Sequence, residues 1–358
     1  MKITDIRIEK LSTPLKKPFK TALRTLQTME HILVVVKTDK GIDGYGGAAP
    51  TAVITGDTTA SIMGAIDCIK SSIIGRDIRQ VEDIFIRINH CMVGNTSAKA
   101  AVDMAVYDLY GKLYGAPLYQ LLGGYRTHLL TDLTISLNAP HVMVSHSLDA
   151  VSKGYTTLKI KVGEDAQKDI NRLLAIRKAV GEDVVLRIDA NQGWKPKEAV
   201  YVIQRMEQGD IHITCAEQPV NGKDFEGMKY VKERVNIPII ADESVFSPAD
   251  ALRLIQMQAV DMMNIKLMKT GGIYNALTIM ALAEAAGIQC MIGSMMESKI
   301  GIAAAAHLGA SKAVIVDVDL DVPILCEEDS IMGGVIYDGS KISFTNKPGL
   351  GLEQIAIE

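Results

Sequence analysis

Hydrophobic positions divide the chain into two stretches of different rhythm. At the start, Met1-Lys2-Ile3-Thr4-Asp5-Ile6-Arg7 alternates with a period of two, which predicts a half-buried strand and not the apolar core of a signal peptide. Residues 32–36 form a short apolar run. Asp39-Lys40-Gly41 follows as a turn, and Ile42-Asp43-Gly44-Tyr45 returns as the hairpin partner. From about 58 to 122 the period lengthens. Ala98, Ala101, Val102, Ala105, Val106 and Leu109 fall three and four apart on one helical face, with Ser97 the expected N-cap. Pro117-Leu118-Tyr119-Gln120-Leu121-Leu122-Gly123-Gly124 closes this region at a glycine pair. An α+β first domain over residues 1–125 is the expectation.

Beyond it, short apolar runs alternate with amphipathic stretches. Strands are predicted at 131–136, 157–162, 184–188, 213–216, 237–241, 261–265, 289–292 and 314–318. Over 165–180, Ile170, Leu173, Leu174, Ile176 and Val180 share a helical face, and Gly181 ends it. Eight strands separated by helices point to a parallel sheet closed into an α/β barrel over 126–323. An open doubly wound sheet is the alternative, weakened by the lack of a Gly-x-Gly-x-x-Gly turn after a first strand. The last segment, 324–358, is punctuated by Gly333-Gly334, Asp338-Gly339 and Pro348-Gly349, and is expected to pack back onto the first domain.

Composition narrows the function. A net charge of −4 gives no basic field for nucleic acid or anionic lipid, and no apolar run is long enough to span a membrane. The five cysteines (Cys68, Cys91, Cys215, Cys290, Cys326) are scattered, which fits free thiols in a reducing cytoplasm better than a disulfide framework or a zinc site. The seventeen methionines read as core filling.

The polar residues that matter stand where predicted strands end. Lys159 and Lys161 close the second strand, Asp189 the third, Glu217 the fourth, Asp242 the fifth and Lys266 the sixth. The acids recur at intervals of 28 and 25 residues, and Lys266 follows Asp242 by 24. One interval is one β/α unit, so all should reach the C-terminal rim of the barrel, where this fold places its chemistry. Three converging carboxylates repel one another unless a cation joins them, and all-oxygen ligation suits Mg²⁺. A metal at a substrate carboxylate would stabilise charge developing beside it, and a lysine could then take the neighbouring α-proton. Lys159 lies on the same side of its strand as Lys161, and their repulsion is expected to make Lys161 release its proton more readily. Lys266 enters four strands along. Two bases on opposite faces of one carbon meet the requirement for racemisation or epimerisation.

Taken together, Lys-x-Lys at 159–161, Asp189-Ala190-Asn191-Gln192-Gly193-Trp194, Glu217-Gln218-Pro219, Ala241-Asp242-Glu243-Ser244 and Asn264-Ile265-Lys266-Leu267 resemble the muconate-lactonising-enzyme subgroup of the enolase superfamily. The resemblance runs over essentially the whole chain. It implies a (β/α)₇β modified TIM barrel with an N-terminal α+β capping domain, one Mg²⁺ on Asp189, Glu217 and Asp242, and Lys161 and Lys266 as bases. Strand seven ends in Ile292-Gly293-Ser294-Met295-Met296-Glu297, without the histidine of the mandelate-racemase branch. Members of the subgroup include cycloisomerases, succinylbenzoate synthases, N-acylamino-acid racemases and dipeptide epimerases.

Asp319-x-Asp321, after strand eight, looks like the dipeptide-epimerase signature and would suit a substrate's free ammonium. Asp317 shares the alternation but is expected to lie too deep and serve structure. Lys17-Pro18-Phe19-Lys20-Thr21-Ala22-Leu23-Arg24-Thr25 and Val53-Ile54-Thr55-Gly56-Asp57 resemble the two capping-domain loops over such a site. The likeness makes Phe19, Ile54, Thr134, Ser294 and Met295 substrate contacts, and sets Arg24 facing a glutamyl carboxylate. Gly44-Tyr45-Gly46-Gly47-Ala48 departs from the family's Gly-Trp-Gly-Glu-Ala, an expected change in the wall behind those loops. L-Ala-L-Glu is therefore the leading substrate, hydrophobic dipeptides the next. A small-molecule dipeptide partner and a cytoplasmic homo-oligomer are expected; a catalytically silent barrel is the reading from another class.

Overall fold

The period-two opening becomes β1 (Ile3–Lys20), which pairs antiparallel with β2 (Thr25–Thr38), and β2 with β3 (Gly44–Ala48), in a computed structural model that describes residues 1–209, 211–327, 331–353 and 355. β2 is the central strand, so Ile32 through Val36 are buried on both faces. Helices α1 (Thr59–Ile73) and α3 (Thr96–Tyr114) pack on this sheet, and α2 (Val81–His90) packs against both of them. α3 lies directly on β3. Gly44 and Gly46 permit that approach, because a Cβ at either would meet the carbonyl oxygens of Ala105 and Ala101. Ser97 does not cap α3. The helix starts at Thr96, and the Ser97 N–H donates to Asp57 Oδ2 at 3.0 Å. A buried carboxylate from the loop before α1 takes the place of the expected local hydroxyl.

After α4 (Leu118–Leu121) and β4 (His128–Leu130) comes the parallel sheet: β5 (Leu133–Ile135), β6 (Thr157–Lys161), β7 (Val185–Asp189), β8 (Ile213–Glu217), β9 (Ile239–Ala241), β10 (Met262–Ile265), β11 (Gln289–Gly293) and β12 (Ile315–Asp319). Spatial order follows chain order. Thr131 closes the ring by a parallel bridge to Val318, and its Oγ1 accepts the Leu320 N–H at 2.9 Å. The connecting helices are α5 (Pro140–Ser152), α6 (Ala166–Val180), α7 (Pro196–Gln208), α8 (Phe225–Lys232), α9 (Pro248–Met257), α10 (Leu267–Thr270) with α11 (Ile273–Ala285), and α12 (Lys299–Gly309). β12 leads only to the one-turn α13 (Val322–Leu325), so the barrel is (β/α)₇β, capped by the separate N-terminal domain.

α6 keeps its predicted limits, with Asp165 accepting from Lys168 N at 2.9 Å and Gly181 at its end. Leu174 is an exception to its predicted face and stands exposed. The buried face turns instead toward Arg177, whose guanidinium donates to the carbonyls of Gly181, Val184, Ile211 and His212.

The last segment first forms a hairpin, β13 (Val335–Asp338) and β14 (Lys341–Phe344), paired with β4. It then reaches the capping domain, where Leu350 N donates to Asp108 Oδ1 at 2.8 Å. Among the described residues no helix is long and apolar enough to cross a membrane.

Candidate active site

Parallel register builds the site. Lys161 is the Cα partner of Asp189, and Asp189 that of Glu217, so three neighbouring strands end at one level. The ligand atoms of Asp189, Glu217 and Asp242 lie within 4.8 Å of one another, and all three residues are buried. Lys161 Nζ donates to Asp189 Oδ2 at 2.6 Å, and Lys266 Nζ, from the far side, to Asp242 Oδ2 at 2.7 Å. A set of carboxylate oxygens with no histidine or cysteine among them fits a hard divalent cation such as Mg²⁺ and not zinc.

Supporting contacts orient each carboxylate. Asp189 Oδ1 accepts the Asn191 N–H at 2.9 Å, and Glu217 Oε1 accepts from Asn264 Nδ2 at 2.9 Å. Gln218 Oε1 accepts the N–H groups of Asp242 (2.8 Å) and Ser244 (3.1 Å), which sews the end of β8 to the end of β9. Gln218 itself holds φ at +37°, a strained backbone setting for a non-glycine residue at a functional site. Burial works against ionisation of Asp242, yet Lys266 and Lys269 hold its carboxyl well below the ordinary range. Glu217 moves upward, through burial and the nearby charges of Asp189 and Asp242.

Lys159 has close partners that its neighbours along the chain do not foreshadow. The sequence sets it against Lys161 as a repelling charge. Its Nζ instead lies among three acids, 2.7 Å from Asp319 Oδ2, 2.9 Å from Glu217 Oε2 and 3.1 Å from Asp189 Oδ2. Burial opposes its charge, but these carboxylates outweigh it and hold the proton firmly on Lys159. Among the residues lining the cavity Lys159 does not occur, so it supports the acids from below.

A cavity opens above this cluster, between the barrel mouth and the capping domain. Phe19, Arg24, Ile54, Thr134, Lys161, Asp242, Lys266, Ser294, Met295, Asp319 and Asp321 all line it. Asp321 Oδ2 accepts the Thr134 N–H at 2.7 Å, and burial beside Asp319 pushes its carboxyl up to about 6. Arg24 is half-buried, with no carboxylate in salt-bridge range among the described residues, and desolvation lowers its pKa. Asp317 lies below the site and pairs with Arg187, which also meets Asp132 at 3.4 Å. Gly47 does not line the cavity. A Cβ there would sit 2.7 Å from Ser298 Oγ at the junction of cap and barrel, so the missing acid alters that junction rather than the substrate wall. Thr21, Leu23, Val53, Asn191, Glu243, Met296 and Val322, none of them singled out individually in the sequence, also line the cavity. Asn191 and Glu243 stand inside motifs already singled out, and that position was the available signal.

The closed barrel, the separate cap and the triad flanked by lysines define an enolase-type enzyme site. Residues 3–123 match the family model described as mandelate racemase / muconate lactonizing enzyme, N-terminal domain, and 143–355 match that of the enolase C-terminal domain-like family. The chain belongs to this mandelate racemase / muconate lactonizing enzyme family. It is 55% identical over 356 residues to an L-Ala-D/L-Glu epimerase of Clostridium acetobutylicum, covering 99% of both chains. The structure of a substrate-liganded complex of the L-Ala-D/L-Glu epimerase from Bacillus subtilis superposes with a TM-score of 0.98, at 49% identity and full coverage of both chains. The dipeptide epimerase from Enterococcus faecalis, complexed with Mg and L-Leu-L-Tyr, gives 0.96 at 43% identity, over 99% of this chain and 100% of that one.

Proposed function

We propose that this protein is a Mg²⁺-dependent dipeptide epimerase that inverts the α-carbon of the C-terminal residue of L,L-dipeptides. The observation that carries the reading is the pair of lysines, Lys161 and Lys266, which enter one cavity from β6 and from the end of β10 with the acidic triad between them. Asp189, Glu217 and Asp242 would hold the cation, which when bound would neutralise the substrate carboxylate and the charge that builds there as the α-proton leaves. Lys161 and Lys266 take the proton from one face and return one to the other. Asp319 and Asp321 receive the N-terminal ammonium, with the Thr134 N–H fixing the rotamer of Asp321. Phe19, Ile54 and the capping loop exclude water. Ser294 and Met295, after β11, support the substrate's carboxylate end. The five free cysteines fit a reducing cytoplasm.

L-Ala-L-Glu is the leading substrate because half-buried Arg24 faces the cavity with no carboxylate paired to it among the described residues. Hydrophobic dipeptides come next. Incubating the protein with Mg²⁺ and pooled L,L-dipeptides in D₂O tests both levels. Deuterium at the C-terminal α-carbon is expected, most rapidly in Ala-Glu, and its absence from every dipeptide sinks the proposal. A subgroup lyase would not need Asp319 and Asp321 at the end of β12, so full activity with both changed to Asn would favour that alternative.

Arg24→Met should then reverse the ranking. A charge-assisted hydrogen bond contributes about 1.5–3 kcal/mol, so kcat/KM for Ala-Glu is expected to fall roughly 10- to 100-fold. Rates for dipeptides ending in Leu or Tyr should be retained or raised, because the methionine keeps the apolar volume. Parallel loss on both substrate types would remove Arg24 from the substrate contacts.

A further inference from the structure

Lys269 carries its charge where no solvent reaches, with a side chain 0% exposed. It is not among the residues that line the cavity. A buried ammonium persists only when its protons find acceptors. Here three oxygens are in range. Nζ lies 2.7 Å from Asp242 Oδ1, donates to the carbonyl of Asn264 at 3.0 Å, and donates to the carbonyl of Asp242 as well. The ring of Phe246 stands over it, with its centroid 5.7 Å away.

These contacts join two strand ends. Asp242 follows β9, while Asn264 lies in β10, two residues before Lys266. The backbone N–H of Lys269 donates to the carbonyl of Lys266 at 2.9 Å, which folds the one-turn α10 back against that residue. Lys266 Nζ reaches the other oxygen of the same carboxylate, Asp242 Oδ2, at 2.7 Å. One carboxylate is thus held by two ammonium groups, of which only Lys266 faces the cavity.

We infer that Lys269 is a positioning residue for Lys266: it clamps Asp242 to the end of β10 and so fixes the height and direction at which Lys266 enters the cavity. The inference rests on the two-lysine chemistry proposed above. Lys161 stands outside the clamp, on β6, with its Nζ on Asp189. Loosening the clamp therefore harms proton transfer on the Lys266 side and spares the Lys161 side, whereas a general packing role would weaken both alike.

Lys269→Met keeps the length and removes the charge; Lys269→Arg keeps the charge and changes the geometry. Deuterium uptake at the α-carbon is followed separately from the L,L and the L,D epimer at saturating Mg²⁺. With Lys269→Met, uptake from one epimer is expected to fall about tenfold or more beyond the fall from the other, since small misplacements are costly to proton transfer. The loss should appear in kcat and not in KM, and Lys269→Arg should recover part of it. A readout independent of turnover is amide hydrogen exchange of the metal-free protein, which should quicken over 239–246 and 262–271 but not over 157–163. Equal losses from both epimers, or unchanged protection of those two segments, overturn the inference. If the methionine variant does not fold, the arginine variant carries the same comparison, with a smaller asymmetry as the expected result. If the unaltered protein labels no dipeptide, the proposed function falls, while the exchange comparison still decides whether Lys269 clamps the strand ends.

Discussion

Lys266→Ala is expected to abolish epimerisation while leaving α-proton exchange from one of the two epimers. Inversion needs a proton removed from one face of the carbon and another delivered to the opposite face. With Lys266 gone, Lys161 still reaches the cavity and can remove and return a proton on its own side, which labels the substrate without inverting it. General acid–base groups contribute about 10²- to 10⁴-fold, and that is the expected fall in the rate of inversion. Lys161→Ala should give the reciprocal pattern, with labelling surviving from the other epimer. The measurement is NMR of each purified epimer in D₂O with Mg²⁺. The fold should tolerate Lys266→Ala, since Lys269 Nζ remains 2.7 Å from Asp242 Oδ1 and keeps a cation beside that buried carboxylate. Labelling lost from both epimers in each variant, with metal affinity intact, would mean that the two lysines do not divide the faces between them.

What could be read in advance follows from which forces act locally. The barrel strands are short apolar runs, and intervals of 28 and 25 residues, each about one β/α unit, separate Asp189, Glu217 and Asp242. Parallel register then brings the ends of neighbouring strands to a common level, as with Lys161, Asp189 and Glu217, which is why recurring polar strand ends are legible as one cluster. The acids around Lys159 are not legible for a related reason. Its nearest charge along the chain is Lys161, but its shortest contact in space is Asp319, 160 residues away. Capping failed in the same manner at α3, where distant Asp57 serves the N–H of Ser97. Gln218 and Lys269 sat in plain view within their motifs. Their roles arise from cross-strand contacts that no periodicity encodes. The β13–β14 hairpin escaped because its strands are short, glycine-flanked, and paired with β4 from far upstream.

Glu217→Gln is expected to disable the cation site while leaving both lysines in place. Each oxygen of Glu217 already faces a donor: Oε1 accepts from Asn264 Nδ2 at 2.9 Å, and Oε2 lies 2.9 Å from Lys159 Nζ. An amide nitrogen on either side therefore faces another donor, so glutamine cannot reproduce the carboxylate's orientation. It also removes one of the three negative charges gathered within 4.8 Å, charges that a divalent cation would balance. Loss of an outer partner of a metal site typically weakens affinity about 10- to 100-fold, and loss of a charged ligand should cost at least as much. Epimerisation by the variant should require correspondingly more Mg²⁺ and reach a lower maximum. Thermal unfolding supplies the second reading. Binding at about 100 times Kd stabilises a folded protein by about 2.7 kcal/mol, and at about 1–10 times Kd by about 0.4–1.4 kcal/mol, so the rise in Tm produced by Mg²⁺ should be clearly smaller in the variant than in the unaltered protein. Comparing each protein with and without Mg²⁺ cancels whatever the substitution does to the metal-free fold. Equal Mg²⁺-induced shifts in the two proteins would remove Glu217 from the cation's ligands and leave Asp189 and Asp242 to hold it alone.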